Sequence, residues 1–116
     1  MPYVSSAKRV AIAGATGYIG GRLAPRLLDD GYIIRCLVRS PGKLAGRAWA
    51  ANPGVEIRQA DLADGASLAR NLAGCDAAFY LVHSMTSAGA EYANKDRDLA
   101  LQFASAAREA GVGRII

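Results

Sequence analysis

The hydrophobic residues of the chain fall into short apolar runs that alternate with longer amphipathic segments. The runs have the length and composition of buried strands. They occur at 8-KRVAIAG-14, 33-IIRCLV-38, 55-VEIRQA-60, 77-AAFYLV-82 and 113-GRII-116. The segments between them repeat apolar residues every three or four positions, as helices with one buried face do. Helices are predicted over residues 18–30, 43–50, 65–72 and 90–110, of which the second has the weakest pattern.

This alternation of strand and helix predicts right-handed βαβ units. The fold class is therefore α/β, a doubly wound parallel sheet of strands 1–5 with helices on both faces. The last apolar run stands at the end of the sequence. We therefore expect a sheet truncated at strand 5, and residues 1–116 as one domain, the N-terminal part of a longer protein.

Composition and charge narrow the kinds of partner. The 116 residues carry a net charge of +4, but the arginines are spread along the chain without runs of like charge or interleaved aromatics. This distribution favours a small anionic ligand at least as well as a nucleic acid, and we expect no nucleic-acid partner. The N-terminus lacks the apolar stretch of a signal peptide, and no apolar run reaches the roughly 18 residues that a membrane span needs. We expect no membrane partner and a cytoplasmic location.

The two cysteines fit a reducing compartment. Cys36 falls inside the second strand and is predicted to be a buried free thiol. Cys75 falls in the turn 74–76 and is expected to react faster with a thiol reagent. The sequence shows no pattern of metal ligands, and we expect no metal site.

Three glycines follow the first strand and open the first helix, in the segment 14-GATGYIGG-21. Gly14 permits a tight turn out of the strand, and Gly20 lets the helix lie close to the sheet. Gly17 has no side chain to keep a pyrophosphate away from the backbone amides of the helix N-terminus. A glycine-rich turn without a ligand is the alternative. We predict a Rossmann-type dinucleotide-binding loop made of Gly14, Ala15, Thr16, Gly17, Tyr18, Ile19 and Gly20.

The end of the second strand indicates which dinucleotide is bound. An acidic residue in this region binds the ribose 2′-hydroxyl of NAD, whereas an arginine accommodates the 2′-phosphate of NADP. The chain has Arg39 and Ser40 here and no carboxylate, and Lys43 and Arg47 follow at helical spacing as a cationic surface. NADP(H) is therefore preferred over NAD(H). The alternative is that Arg39 is a solvated arginine at a strand end.

The residues after the fourth strand should also reach the ligand. Leu81, Val82 and His83 are predicted to pass beside the nicotinamide-side ribose, because ligands of such sheets lie at the carboxyl ends of the strands. His83 is the single histidine of the chain. It would be well placed as a general acid, with a structural or solvated role as the alternative. Residues 84–90 form a loop of small residues that could close over the cofactor.

Taken together, these motifs resemble the extended and atypical short-chain dehydrogenase/reductase family over all 116 residues. The glycine segment, 37-LVRS-40, 60-ADLAD-64, 74-GCDAAFYLVHSM-85 and 106-AAREAGVGRII-116 all fall where that family has them. Within the family, 80-YLVHSM-85 and Arg39 look most like the NmrA-like, NAD(P)H-binding branch.

The resemblance implies further roles. The Asp61 carboxylate would face the adenine amino group and the Leu62 backbone would support the ring, although Asp61 could instead be a helix cap or turn residue. Reductases of the family use a tyrosine and a lysine four residues apart, on a helix after strand 5. Tyr92 and Lys95 have the wrong spacing on the preceding helix, so the catalytic residues stay unknown. Two functions remain open: an oxidoreductase or epimerase-like enzyme using NADP(H), and a non-catalytic NADP(H) sensor or scaffold.

Overall fold

The computed structural model describes residues 8–82 and 90–116. In these ranges five parallel strands form one sheet in the order β3-β2-β1-β4-β5. The strand bounds are β1 Arg9–Ala13, β2 Ile33–Val38, β3 Val55–Gln59, β4 Ala77–Tyr80 and β5 Arg114–Ile115. All five lie within the predicted runs, and the parallel, doubly wound sheet is confirmed.

Within the described residues, three α-helices connect the strands: α1 Tyr18–Asp29, α2 Gly65–Leu72 and α3 Ala90–Glu109. Two residues after the end of α1 lies Gly31, whose φ of +91° is a backbone conformation that favours glycine. The N-cap residue of helix α2 is Asp64, whose side chain accepts a hydrogen bond of 3.2 Å from the Ser67 amide. None of the helices in the described ranges is long and apolar enough to span a membrane.

The helix predicted over residues 43–50 is wrong. This segment forms two short 3₁₀ helices, Pro41–Leu44 and Ala48–Ala51. Glycines at positions 42 and 46 weaken a continuous helix, because glycine has a high conformational entropy to lose. Only Leu44 of the two short helices is fully buried, and Trp49 and Ala50 pack against the same hydrophobic core with partial burial.

The two faces of the sheet carry separate hydrophobic clusters. Ala11 and Ala13 of β1 face α2 and α3, in a cluster that includes Phe103. Ile12 points to the other face, where it packs with Ala24 of α1. Successive residues of a strand point to opposite faces, so β1 contributes to both clusters. Helices therefore cover both faces, as predicted.

The register brings three strand ends together. Ala13, the last residue of β1, pairs with Leu37 of β2 on one side and with Tyr80 of β4 on the other. Helix α1, which follows β1, covers one face of the sheet, and α3, which follows β4, covers the other. Parallel sheets of this kind open a crevice where neighbouring connections leave on opposite faces. The carboxyl ends of β1, β2 and β4 are thus the place to look for a ligand site.

An arginine buried in the sheet links β2, β3 and α2. The guanidinium of Arg35, which is 6% exposed, donates from Nε to Glu56 Oε1 at 2.8 Å. Its Nη1 donates to the carbonyl oxygens of Asn71 and Ala73 at 2.8 and 2.7 Å, at the C-terminal end of α2. Arg9 adds a second contact to Glu56 at 3.1 Å.

Both cysteines are buried and free. Burial raises the pKa of the Cys36 thiol to about 12. The pKa of Cys75 is also raised, chiefly by burial, although Arg35 and Arg9 act against the rise. The faster reaction of Cys75 with a thiol reagent stays a prediction. It rests on the slightly smaller burial of Cys75, since both thiols are buried.

Candidate functional site

A cavity of about 240 Å³ opens at the carboxyl ends of β1, β2 and β4. It lies where the sheet topology places a ligand site in doubly wound folds. Seven of the residues predicted from the sequence line it: Gly14, Thr16, Arg39, Ser40, Lys43, Leu62 and Val82. The other lining residues are Leu37, Val38 and Ala60.

Two glycines of the loop are required by the fold itself. Gly14 has a φ of +101°, and a Cβ there would lie 2.9 Å from the carbonyl carbon of Leu81. A Cβ on Gly20 would collide with the carbonyl oxygen of Gly14 and lie 2.8 Å from Cα of Ala15. Gly20 therefore lets α1 approach the glycine turn, rather than the sheet as the sequence suggested.

Gly17 is different, because the fold makes little demand for a glycine there. Its φ of −81° and ψ of 177° are extended values that any residue adopts. A Cβ at this position would meet a single atom, the carbonyl oxygen of Gly14, at 3.3 Å. The missing side chain leaves bare backbone at the start of α1.

The start of α1 is exposed at Gly17, Tyr18 and Ile19. Gly17 is the N-cap residue, and its position has no side-chain cap hydrogen bond. An α-helix leaves its first N–H groups without intrahelical partners, and they carry the positive end of the helix dipole. The side chains of Tyr18 and Ile19 are 76% and 60% exposed. Ala15 is fully buried. Tyr18 and Ile19 can therefore offer backbone amides to an anion without using their side chains, whereas Ala15 contributes to the packing beneath the loop.

A cationic rim, formed by Arg39, Ser40 and Lys43, borders the cavity after β2. All three are exposed, and within residues 8–82 and 90–116 neither cation makes an ion pair. Ser40 precedes the first 3₁₀ helix without capping it through its side chain. The carbonyl of Arg39 accepts a hydrogen bond of 3.3 Å from the Gln59 side chain, which links the ends of β2 and β3.

Arg47 does not belong to the exposed cationic surface expected from its spacing. It is half-buried, and its Nη2 donates to the carbonyl oxygen of Thr16 at 2.9 Å. The interruption at Gly46 breaks the helical spacing that would have aligned Arg47 with Arg39 and Lys43. The only hint in the sequence is the glycine at position 21, where a side chain would crowd Arg47 Nη1 at 3.0 Å.

Of the two site residues predicted after β3, Asp61 lies in a turn and Leu62 lines the cavity. The carboxylate of Asp61 is exposed and accepts a hydrogen bond of 2.9 Å from the Ala63 amide, as in the turn alternative. Leu62 lines the cavity. Its carbonyl accepts a hydrogen bond of 2.9 Å from Gln102 of α3, which fixes the loop to that helix. Asp64, rather than Asp61, caps α2.

The residues after β4 form the opposite wall. The Leu81 amide donates to the Ala13 carbonyl at 2.9 Å, which continues the β1–β4 pairing and brings Leu81 against Gly14. Val82 lines the cavity. His83 and residues 84–89 of the loop predicted over 84–90 lie outside the described residues. In the ranges that are described, no three His, Cys, Asp or Glu side chains come together as metal ligands would.

Comparison with known proteins places this fold in a family. A family model described as the NmrA-like family matches residues 6–116. A (4-alkanoyl-5-oxo-2,5-dihydrofuran-3-yl)methyl phosphate reductase from Streptomyces griseus is 35% identical over 107 residues, which are 92% of this chain and 33% of that protein. A dihydroflavonol 4-reductase from Arabidopsis thaliana is 34% identical over 87 residues, which are 71% of this chain and 23% of that protein.

The same fold occurs in solved structures. A variant of uronate dehydrogenase from Agrobacterium tumefaciens, in complex with NAD, is 30% identical with a TM-score of 0.73. The alignment covers 93% of this chain and 39% of that protein. The chain thus spans about a quarter to a third of the curated relatives named above. Because the family model covers nearly the whole sequence and the predicted fold is confirmed, the chain belongs to the NmrA-like family.

Proposed function

We propose that this chain is a dinucleotide-binding domain that holds a pyrophosphate on the glycine loop. Gly17 carries this proposal. Gly14 and Gly20 are explained by contacts inside the protein, whereas Gly17 has ordinary backbone angles, and a Cβ there would be crowded by one atom alone, the Gly14 carbonyl oxygen at 3.3 Å. A ligand that must approach the amides of α1 accounts for a glycine that the fold does not require.

The remaining residues would bind the ends of the dinucleotide. Arg39, Ser40 and Lys43 would take the 2′-phosphate of NADP(H), since the two cations are exposed and make no ion pair within the described ranges. The adenine would lie against Leu62 and the Asp61 turn. Leu81, Val82 and His83 would border the nicotinamide-side ribose.

When bound, the nicotinamide group would supply or accept a hydride. The contribution of this chain is to bind and orient the dinucleotide. The relatives named as reductases support the further proposal that the full-length protein is an NADP(H)-dependent oxidoreductase. Turnover of NADPH by the full chain would support this proposal, and dinucleotide binding without turnover of reductase or epimerase substrates would favour a sensor or scaffold instead.

The loop assignment is tested by binding. Calorimetry with NADPH should show a loss of affinity for Gly17→Val, since the side chain blocks the approach of the phosphates. Hydrogen bonds to charged groups contribute about 1.5–3 kcal/mol each, so the expected loss is roughly 10- to 150-fold. Gly65→Ala is the matched control, because a Cβ at that helix start meets only Gln102 at 3.7 Å. Unchanged affinity in Gly17→Val would refute the assignment.

The choice of cofactor is tested at Arg39. Arg39→Ala should weaken NADPH binding by roughly 10- to 150-fold and leave NADH nearly unaffected. Arg39→Asp should shift the preference further toward NADH, because a carboxylate repels the phosphate and accepts hydrogen bonds from the ribose hydroxyls. Arg108→Ala removes an exposed arginine near the end of α3 and controls for the change in net charge. A ratio of the NADPH and NADH dissociation constants that does not move would refute the NADP(H) preference.

A further inference from the structure

Arg47 reaches from the segment after β2 to the glycine loop, 31 residues earlier in the chain. Its backbone is held by a hydrogen bond of 3.0 Å from its amide to the Leu44 carbonyl, and Leu44 is fully buried. From this anchored position the guanidinium donates to the carbonyl of Thr16 at 2.9 Å. Arg47 therefore joins the cationic rim segment to the loop proposed to hold the pyrophosphate.

The peptide group between Thr16 and Gly17 is consequently held at both ends. Arg47 binds its carbonyl oxygen, and its N–H donates to the Gly14 carbonyl at 3.0 Å. The orientation of this peptide group sets the direction in which the next amides, at the start of α1, point. A phosphate site works best when its donors are already oriented, because no ordering is then needed on binding.

The charge of Arg47 gives a second argument. The guanidinium lies beside the first turn of α1, where a Cβ on Gly21 would be 3.0 Å from Nη1. A helix N-terminus carries partial positive charge and disfavours a cation. Within the described ranges no carboxylate pairs with Arg47. An anion bound at the helix start would relieve this repulsion, so the placement of a half-buried cation there points to a negatively charged ligand.

We propose that Arg47 is the positioning residue of the pyrophosphate site: it orients the Thr16–Gly17 peptide and adds positive charge behind the helix start. The inference rests on the proposed dinucleotide binding and deepens it. The proposal gives different roles to Arg39 and Arg47, the two arginines of the segment after β2. Arg39 would act on the 2′-phosphate alone, whereas Arg47 would act on the pyrophosphate that NADPH and NADH share.

Three ligands separate these roles in calorimetric titrations of the full chain: NADPH, NADH and adenosine 2′-monophosphate, which lacks the pyrophosphate. Arg47→Ala should weaken NADPH and NADH by the same factor, about tenfold or more for one lost charge-assisted interaction, and leave the monophosphate unaffected. Arg39→Ala should instead weaken NADPH and the monophosphate and leave NADH unaffected. Arg47→Lys should recover part of the lost affinity, because it keeps the charge and one donor.

A second variant approaches the same contact from the other side. Gly21→Ala places a methyl group against Arg47 Nη1 and should weaken both dinucleotides in the same ratio, with Arg47 itself intact. Thermal unfolding without ligand identifies variants that have lost the fold; if Arg47→Ala is one of them, Arg47→Lys and Gly21→Ala decide the question. Native NADH affinity in the folded variants, or a loss limited to NADPH, would overturn the role of Arg47. Failure of the unmodified chain to bind any of the three ligands would instead refute the proposed function.

Discussion

Replacing Arg35 with methionine should destabilise the protein more than any substitution of an exposed arginine. The side chain fills a buried site, and its guanidinium makes hydrogen bonds to the Glu56 carboxylate and to two carbonyl oxygens at the end of α2. Methionine has a similar length and keeps the packing, so the change isolates the polar contacts.

The size of the stability loss depends on the groups that Arg35→Met leaves without a hydrogen-bond partner. Removing one member of a buried ion pair costs about 3–5 kcal/mol, mostly because the other charge stays buried. Glu56 is 29% exposed and keeps Arg9 at 3.1 Å, so water and Arg9 compensate in part. The carbonyls of Asn71 and Ala73 lose donors at 2.8 and 2.7 Å. We expect a loss near the lower end, about 3 kcal/mol, which lowers the melting temperature by roughly 12 °C at an unfolding entropy of about 2.1 cal/mol/K per residue.

In urea unfolding, the loss of stability should appear as a lower midpoint concentration of urea, with the dependence of the unfolding free energy on urea (the m-value) unchanged. The control is Arg58→Met on the exposed side of β3, which should change the stability by less than about 0.5 kcal/mol. A double-mutant cycle with Glu56→Gln gives the part that belongs to the Arg35–Glu56 pair. A loss below about 1 kcal/mol in Arg35→Met would refute this reasoning, because it would mean that the buried guanidinium contributes no more than a typical exposed pair.

Three other predictions follow from the same structure. Burial alone would raise the pKa of Glu56, but hydrogen bonds from Arg35 and Arg9 outweigh burial and hold this pKa below its ordinary value. The stabilisation that Glu56 contributes is therefore complete above the ordinary pKa of a glutamate and is lost as the pH falls through the lowered pKa. Glu56→Gln should remove this loss, so that the free energy of unfolding changes less with pH between the two pKa values. Both thiols should react slowly with a thiol reagent, Cys36 more slowly than Cys75, and equal rates would contradict the difference in burial. Gly20→Ala should lower the melting temperature clearly more than Gly17→Ala, because its methyl group collides with backbone; equal melting temperatures would show that the glycine turn can rearrange.

Much of the fold could be predicted because local pattern and global topology agree. The run 33-IIRCLV-38 coincides with β2, and Gly31 marks the end of α1 through a positive φ that other residues rarely adopt. The helix over 43–50 failed for a local reason, because the glycines at 42 and 46 disfavour a continuous helix. Periodicity reports the burial of one face, and it cannot distinguish a helix from two short turns that bury one leucine.

The candidate site was predictable where a motif fixes the backbone, and less so where a side chain crosses the fold. The loop residues and the rim at Arg39 follow from strand ends and known spacings, and of the loop residues Gly14 and Thr16 line the cavity together with Arg39. The contact between Arg47 and Thr16 joins residues 31 positions apart and leaves no periodic signal. Arg35 is similar, because a charged residue in an apolar strand gives no indication that its partners are Glu56 and the end of α2.

The central position of β1 has a consequence for the order in which the protein acquires its ligand site. The Arg9 amide is held by the Asp76 carboxylate at 2.9 Å across 67 residues, so β1 gains its β4 neighbour only after a long segment has been synthesised and closed into a loop. Closure over such a distance makes β4 pairing an expected slow step of folding. The backbone of Leu81, which confines Gly14, arrives with that step. A ligand bound by the glycine loop would therefore select chains that have completed the sheet, and would draw folding toward completion by mass action.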